Sequence, residues 1–109
     1  MIKIDFLVTR SGELVGFEIS GHANYANHGK DIICAAVSST AYMTINSISE
    51  ILKIDAEIQI NENHGYMYLS VPFTDIKFCE LILKSFKTHM LLMEESYPDN
   101  IEVNYVEVE

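Results

Sequence analysis

The segment IKIDFLVTRSGELVGFEI, residues 2–19, decides the fold class. Apolar side chains occupy alternate positions on both sides of a Ser11-Gly12 pair: Ile2, Ile4, Phe6 and Val8 before it, and Val15, Phe17 and Ile19 after it. A period of two is typical of a strand with one buried face. Because Ser-Gly favours a turn, the two runs predict a β-hairpin.

Working outward from this hairpin, the rest of the chain predicts two helices and three more strands. A glycine- and asparagine-rich loop covers residues 21–30, and Asp31 is the expected N-cap of a first helix that runs to about Leu52. Strands at residues 56–60 and 66–71 are joined by a turn, a second helix follows, and residues 98–100 break it before a final strand. The order ββαββαβ predicts one α+β domain over residues 1–109, with two helices packed on a mainly antiparallel sheet.

The overall composition restricts the functional classes. The chain has 109 residues, of which 49% are hydrophobic and 21% charged, as in ordinary soluble domains. A formal net charge of −9 argues against direct nucleic-acid binding, because phosphate recognition needs a basic surface. Charged residues interrupt the first twenty positions, and we expect no secretory signal and no membrane-spanning run. The expected location is the cytoplasm, with both cysteines reduced.

Cys34 and His22 are the candidate catalytic pair. With Asp31 as N-cap, Cys34 is the third residue of the first helix, where the helix dipole favours a thiolate. The dipole contributes about 0.3–1 kcal/mol, which lowers a thiol pKa by less than one unit. A nearby cation is therefore needed, and His22, which eleven residues separate from Cys34, is the candidate.

Neighbouring residues fit the same chemistry. Amide groups at the start of the first helix offer donors for an oxyanion. Ser38 lies one helical turn after Cys34 and on the same side of the helix. Gly21 and Gly29 permit close approach of the backbone.

Less specific interpretations remain open for these residues. Cysteine is often a core residue, which is our prediction for Cys79 and the main alternative for Cys34. A zinc site made of His22, His28 and Cys34 matches no standard ligand spacing. A thiol redox role is disfavoured because the chain has no C-x-x-C pair.

Two short segments carry a family resemblance: Gly21-His22-Ala23, and residues 31–38 with the sequence DIICAAVS. Together with the glycine-containing loop between them, they resemble the bacterial ribosomal-processing cysteine protease (Prp) family. The resemblance implies a catalytic dyad of His22 and Cys34, with Asp31 and Ser38 also at characteristic positions. It further implies a substrate loop, mobile until substrate binds, that includes the positions Gly21, Ala23, Tyr25 and Gly29.

The resemblance also implies a substrate and an assembly. Members of the family remove a short N-terminal extension from a large-subunit ribosomal protein, cutting after an aromatic residue, and are generally homodimers. Neither metal nor cofactor is required. An acidic enzyme suits a basic ribosomal protein, and apolar walls around Ile32, Ile33 and Tyr25 are expected to accept the aromatic side chain. The alternative is a non-catalytic ribosome-assembly or ribosomal-protein-binding factor.

Overall fold

A computed structural model describes residues 1–22 and 28–108, with residues 28–31 described by their backbone alone. Strand β1 spans Ile2–Val8 and β2 spans Leu14–Ser20, and helix α1 covers His28–Asn46. Strands β3, Glu57–Asn61, and β4, Tyr66–Ser70, precede helix α2, Ile76–Ser96, and strand β5, Ile101–Glu107. The predicted order ββαββαβ is confirmed.

The five strands form one sheet in the order β3-β4-β2-β1-β5. The predicted hairpin pairs Ile4 with Ile19 and Phe6 with Phe17, so the apolar positions of both strands share a face. Strand β4 pairs antiparallel with β2 and with β3, whereas β5 pairs parallel with β1. The sheet is mainly antiparallel, as expected, and its central strands come from the segment that decides the fold class.

Both helices contribute to one continuous core on the sheet. On α2, the Phe86 ring lies 4.7 Å from that of Phe17 and 5.7 Å from that of Phe6, between centroids. Cys79 is fully buried on the same helix, which confirms its prediction as a core residue. The apolar face of α1 adds Val37 and Ala41, both inaccessible or nearly so. Packing against β1 and β2 therefore orients α2, and α1 packs beside it.

Helix α1 begins at His28, so the expected loop over residues 21–30 is too long and Asp31 is not the N-cap. Asp31 is the fourth residue of the helix. An acidic residue is favourable anywhere in the first helical turn because of the positive end of the dipole, so Asp31 alone could not fix the starting point. Gly29 lies in the helix, where a first-turn glycine is tolerated at a cost of about 1 kcal/mol.

At the C-terminal end of α1 the hydrogen bonding changes from α-helical to π-helical. A π-helical segment, Ser47–Ile51, continues α1, and the Leu52 amide donates to the Ser47 carbonyl oxygen at 2.9 Å. Helix residues Ile32–Ile51 are long and apolar enough to cross a membrane, so the expectation that no run approaches that length is wrong. Core helices of globular domains meet the same criterion, and Ile48 of this stretch is fully buried in the core.

Candidate active site

A cleft of about 270 Å³ lies between helix α1, the end of β2 and the start of β4. Four of the predicted site residues line it: Gly21, His22, Cys34 and Ser38. They come from two segments that the fold brings to the same place, since β2 ends directly before Gly21 and α1 carries the thiol. Apolar side chains of both sheet and helix complete much of the wall.

The backbone of Gly21 and His22 lies against Met1. The amino group of Met1 donates a hydrogen bond of 2.8 Å to the His22 carbonyl oxygen. Gly21 has a φ of +90°, and a Cβ there would lie 2.5 Å from the Met1 carbonyl oxygen. Glycine is therefore required at residue 21 both by its backbone conformation and by the close approach of the β1 start. The imidazole that follows is exposed at the cleft.

Gly65 packs against the His22 ring. A Cβ on Gly65 would lie 2.8 Å from Cε1 and 2.9 Å from Nε2 of the imidazole, closer than real Cβ contacts. The same atom would lie 2.6 Å from the Gly21 carbonyl oxygen. The absence of a side chain at Gly65 thus leaves room for the imidazole.

Cys34 is half-buried and lies on the cleft side of α1. It is the seventh residue of the helix rather than the third, because the helix begins at His28. The unpaired amide groups of a helix belong to its first turn, so Cys34 lies about one turn beyond them. The expectation that the helix start favours the thiolate and supplies oxyanion donors beside Cys34 is therefore wrong.

Three polar side chains at the cleft were not predicted from the sequence: Tyr42, Glu62 and Tyr66. The Tyr42 hydroxyl donates to Glu62 Oε1 at 2.6 Å, and this hydrogen bond is the main cause of the raised pKa of Tyr42. The Tyr66 hydroxyl donates to Glu18 Oε2 at 2.6 Å, which raises the pKa of Tyr66 to about 12. Both phenols are therefore neutral hydrogen-bond donors at physiological pH.

Of these three side chains, Tyr42 could have been predicted from its spacing in the sequence. Tyr42 follows Cys34 and Ser38 at intervals of four residues, the spacing of one helical face. Glu62 and Gly65 are distant in sequence and belong to a short turn between β3 and β4. Only the pairing of the strands brings that turn to the cleft.

Several predicted positions are not tested by this geometry. Ala23 and Tyr25 lie outside the described residues, as do the side chains of His28 and Asp31. Ile32 and Ile33, expected to form apolar walls, are not among the described residues that line the cleft, because Ile32 is 69% exposed and Ile33 is in the core. Ile2, Ile19 and Val37 line the cleft instead. Among the side chains that the structure describes, no group of three or more His, Cys, Asp or Glu is placed to hold a metal ion.

A cleft that unites a cysteine with a histidine is an arrangement expected of a thiol hydrolase. A family model described as cysteine protease Prp matches residues 1–102. The chain therefore belongs to the Prp family of cysteine proteases and is a cysteine peptidase.

Named relatives match over almost their whole length. The chain is 29% identical over 105 residues to the ribosomal processing cysteine protease Prp of Staphylococcus aureus (strain NCTC 8325 / PS 47), covering 96% of this chain and 99% of that protein. It is 28% identical over 107 residues to the Prp of Bacillus subtilis (strain 168), covering 94% and 96%.

Solved structures match equally well. The crystal structure of the essential S. aureus Prp with a substrate peptide has a TM-score of 0.86 and 26% identity, covering 97% of this chain and 100% of that one. A second S. aureus Prp structure, with a covalently linked product peptide, has a TM-score of 0.85 and 28% identity over the same shares. The structure of SMU.848 from Streptococcus mutans has a TM-score of 0.86 and 25% identity, covering 99% and 96%.

Proposed function

We propose that this chain is an endopeptidase that removes the N-terminal extension of a large-subunit ribosomal protein, with Cys34 as nucleophile and His22 as general base. The observation that carries the dyad is that both side chains line one cleft although they belong to different elements. The substrate class is supported by the relatives, which are named ribosomal processing proteases.

The proposed reaction proceeds through an acyl-enzyme. His22 accepts the proton of the Cys34 thiol, and the sulfur attacks the carbonyl carbon of the scissile peptide bond. The imidazolium then protonates the leaving amine as the carbon–nitrogen bond breaks, which leaves a thioester on Cys34. Water, deprotonated by His22, attacks the thioester and releases the carboxylic acid and the thiol. Ser38 and Asp31 are proposed to support this pair, Ser38 from within the same cleft.

The substrate and assembly proposals rest on charge and family membership. A net charge of −9 favours encounter with a basic ribosomal protein and disfavours direct nucleic-acid binding. Apolar cleft residues such as Ile2 and Ile19 favour an aromatic side chain before the scissile bond. We propose that the protein works in the cytoplasm as a homodimer, without a metal or cofactor. Gly21, Ala23, Tyr25 and Gly29 are proposed to belong to the substrate-contacting segment.

The test uses a synthetic peptide that contains the N-terminal extension and the first mature residues of the host ribosomal protein. Cys34→Ala, Cys34→Ser and His22→Ala are each expected to lower kcat/KM by about 10³-fold or more, because each removes a reacting group. Cys79→Ala is the matched control and should cleave at close to the wild-type rate. Wild-type cleavage by Cys34→Ala would overturn the dyad.

The same assay separates the enzyme from a non-catalytic ribosomal-protein-binding factor. Both predict binding of the peptide by Cys34→Ala, whereas the enzyme alone predicts product from the reduced wild-type protein. Intact peptide after prolonged incubation would favour the binding factor. A host ribosomal protein whose gene begins at its mature residue would contradict the substrate assignment while leaving the fold and the dyad unaffected.

A further inference from the structure

The wall of the cleft opposite α1 is a compact turn made of residues 62–65, hereafter the 62–65 turn. The Gly65 amide donates to the Glu62 carbonyl oxygen at 3.1 Å, and Gly65 has a φ of +61°. The Asn61 side chain accepts from the His64 amide at 3.4 Å. These hydrogen bonds define the shape of the turn, which strand pairing of β3 with β4 anchors to the sheet.

On one side this turn contacts the imidazole. A Cβ on Gly65 would lie within 2.9 Å of Cε1 and Nε2 of His22 and 2.6 Å from the carbonyl oxygen of Gly21, so the turn backbone lies against the ring. A shift of the turn toward β2 would therefore displace the ring. In this way the location of the turn limits where the imidazole can lie.

On the other side the turn is bonded to the helix that carries the thiol. Tyr42 lies two helical turns after Cys34 on the cleft side of α1. Its hydroxyl donates to Glu62 Oε1 at 2.6 Å, a length typical of a hydrogen bond to a charged acceptor. This bond spans the cleft and links α1 directly to the turn.

We propose that Tyr42 and Glu62 are positioning residues, whose hydrogen bond holds the 62–65 turn at a fixed distance from α1 and thereby sets the His22 imidazole relative to the Cys34 sulfur. The inference rests on the proposed His22–Cys34 dyad. Small errors in the position of reacting groups are costly, since a displacement of about 1 Å can lower a rate by about 100-fold. Neither residue transfers a proton or contacts the reacting atoms in this proposal.

The experiment compares Tyr42→Phe, Glu62→Leu, the double variant and Glu62→Gln. Tyr42→Phe and Glu62→Leu are each expected to lower kcat about 5- to 50-fold, with KM within about twofold of wild type. The double variant should be no slower than the slower single variant, because both changes remove one hydrogen bond. Glu62→Gln should recover most of kcat, since its amide oxygen still accepts from the phenol.

A second measurement does not depend on substrate binding. The pH dependence of Cys34 alkylation by iodoacetamide reports the thiolate in the folded protein. His22→Ala is expected to reduce alkylation at low pH by removing the cation, and Tyr42→Phe should change the profile in the same direction. Tyr97→Phe and Glu57→Gln, outside the cleft, serve as controls and should leave kcat and the profile unchanged.

The outcomes distinguish this inference from the proposed function. Inactive His22→Ala and Cys34→Ala combined with wild-type kcat and alkylation in Tyr42→Phe would overturn the positioning role and leave the dyad intact. Additive losses in the double variant would overturn it as well. So would a Glu62→Leu defect confined to KM and dependent on substrate charge, which indicates direct substrate binding. Full cleavage by His22→Ala and Cys34→Ala would instead refute the dyad itself.

Discussion

Cys34 and Cys79 lie on two helices that share one core, yet their surroundings differ. Cys34 is half-buried at a cleft with a histidine on its lining. Cys79 is inaccessible on α2, where burial, followed by the charge of Asp75, raises its thiol pKa. Burial opposes formation of a thiolate, whereas a cleft beside an imidazole permits it. Position relative to the sheet, more than residue type, therefore separates a candidate nucleophile from a core side chain.

The largest expected difference between the two thiols is in their reactivity. In the folded protein at pH 7, iodoacetamide should modify Cys34 at least about 10³-fold faster than Cys79, because Cys79 reacts only when the core opens. Mass spectrometry of peptides after timed quenching measures both rates. In denaturant the rates should converge, which provides the control. Faster modification of Cys79 under native conditions would invert the comparison.

Removing the Cys79 thiol should lower stability more than removing the Cys34 thiol, whereas removing the Cys34 thiol should lower activity more. Cys79→Ala leaves a small cavity and is expected to lower the free energy of unfolding by about 1 kcal/mol. Cys34→Ala should change it by less than about 0.5 kcal/mol, because the side chain already borders a cleft. Urea unfolding followed by circular dichroism measures both. Equal costs would show that the two sites are packed alike.

A pH titration sharpens the comparison on the α2 side. The Cys79 thiol has a pKa above its ordinary value of 9.0 in the folded state, so the unfolded chain loses this proton first as pH rises. Its contribution to stability is complete below 9.0 and is lost as pH rises from there through the raised pKa. Unfolding free energies of wild type and Cys79→Ala should therefore converge above pH 9. Parallel pH curves would contradict this.

Titration of Tyr66, which lines the cleft, should have a smaller effect on the stability of the protein. The hydrogen bond to Glu18 is the main cause that raises the pKa of Tyr66 from 10.0 to about 12. Neutral Tyr66 therefore contributes fully to the free energy of unfolding below pH 10.0, and this contribution is lost as the pH rises from 10.0 to about 12. Tyr66→Phe should remove this pH-dependent component and cost less than about 1 kcal/mol at pH 7. Ultraviolet titration of the phenol checks the pKa directly. An ordinary tyrosine titration would refute the assignment.

Local patterns predicted most of the elements, because side-chain period depends on neighbouring residues alone. The alternation around Phe6 and Phe17 identified the hairpin, and apolar residues that recur at helical spacing from Cys79 to Met93 indicate α2. The start of α1 was placed incorrectly, since Asp31 suits both a cap and a first-turn position. No local pattern in the sequence indicates that β5 pairs parallel with β1. A strand's partner depends on contacts between distant residues.

The residues of the candidate site likewise divide into those that a local motif predicts and those that only strand pairing brings to the cleft. Gly21, His22, Cys34 and Ser38 lie in two short segments whose motif was recognisable, and all four line the cleft. Glu62 and Gly65 reach it through the register of β4 with β2, which pairs Met67 with Ile19. Nothing near these two residues in the sequence indicates that register. The opposite wall of a cleft is thus harder to predict than the wall that carries its motif.

The parallel pairing of β5 with β1 also has a consequence for biosynthesis. Ile2 lies opposite Ile101, so β1 pairs with a strand that the ribosome synthesises much later than the hairpin. Contacts of such large sequence separation form slowly, because the intervening chain must first be brought together at an entropic cost. The hairpin is therefore synthesised before its parallel partner, and β1 remains an open edge until β5 has been made and has paired with it.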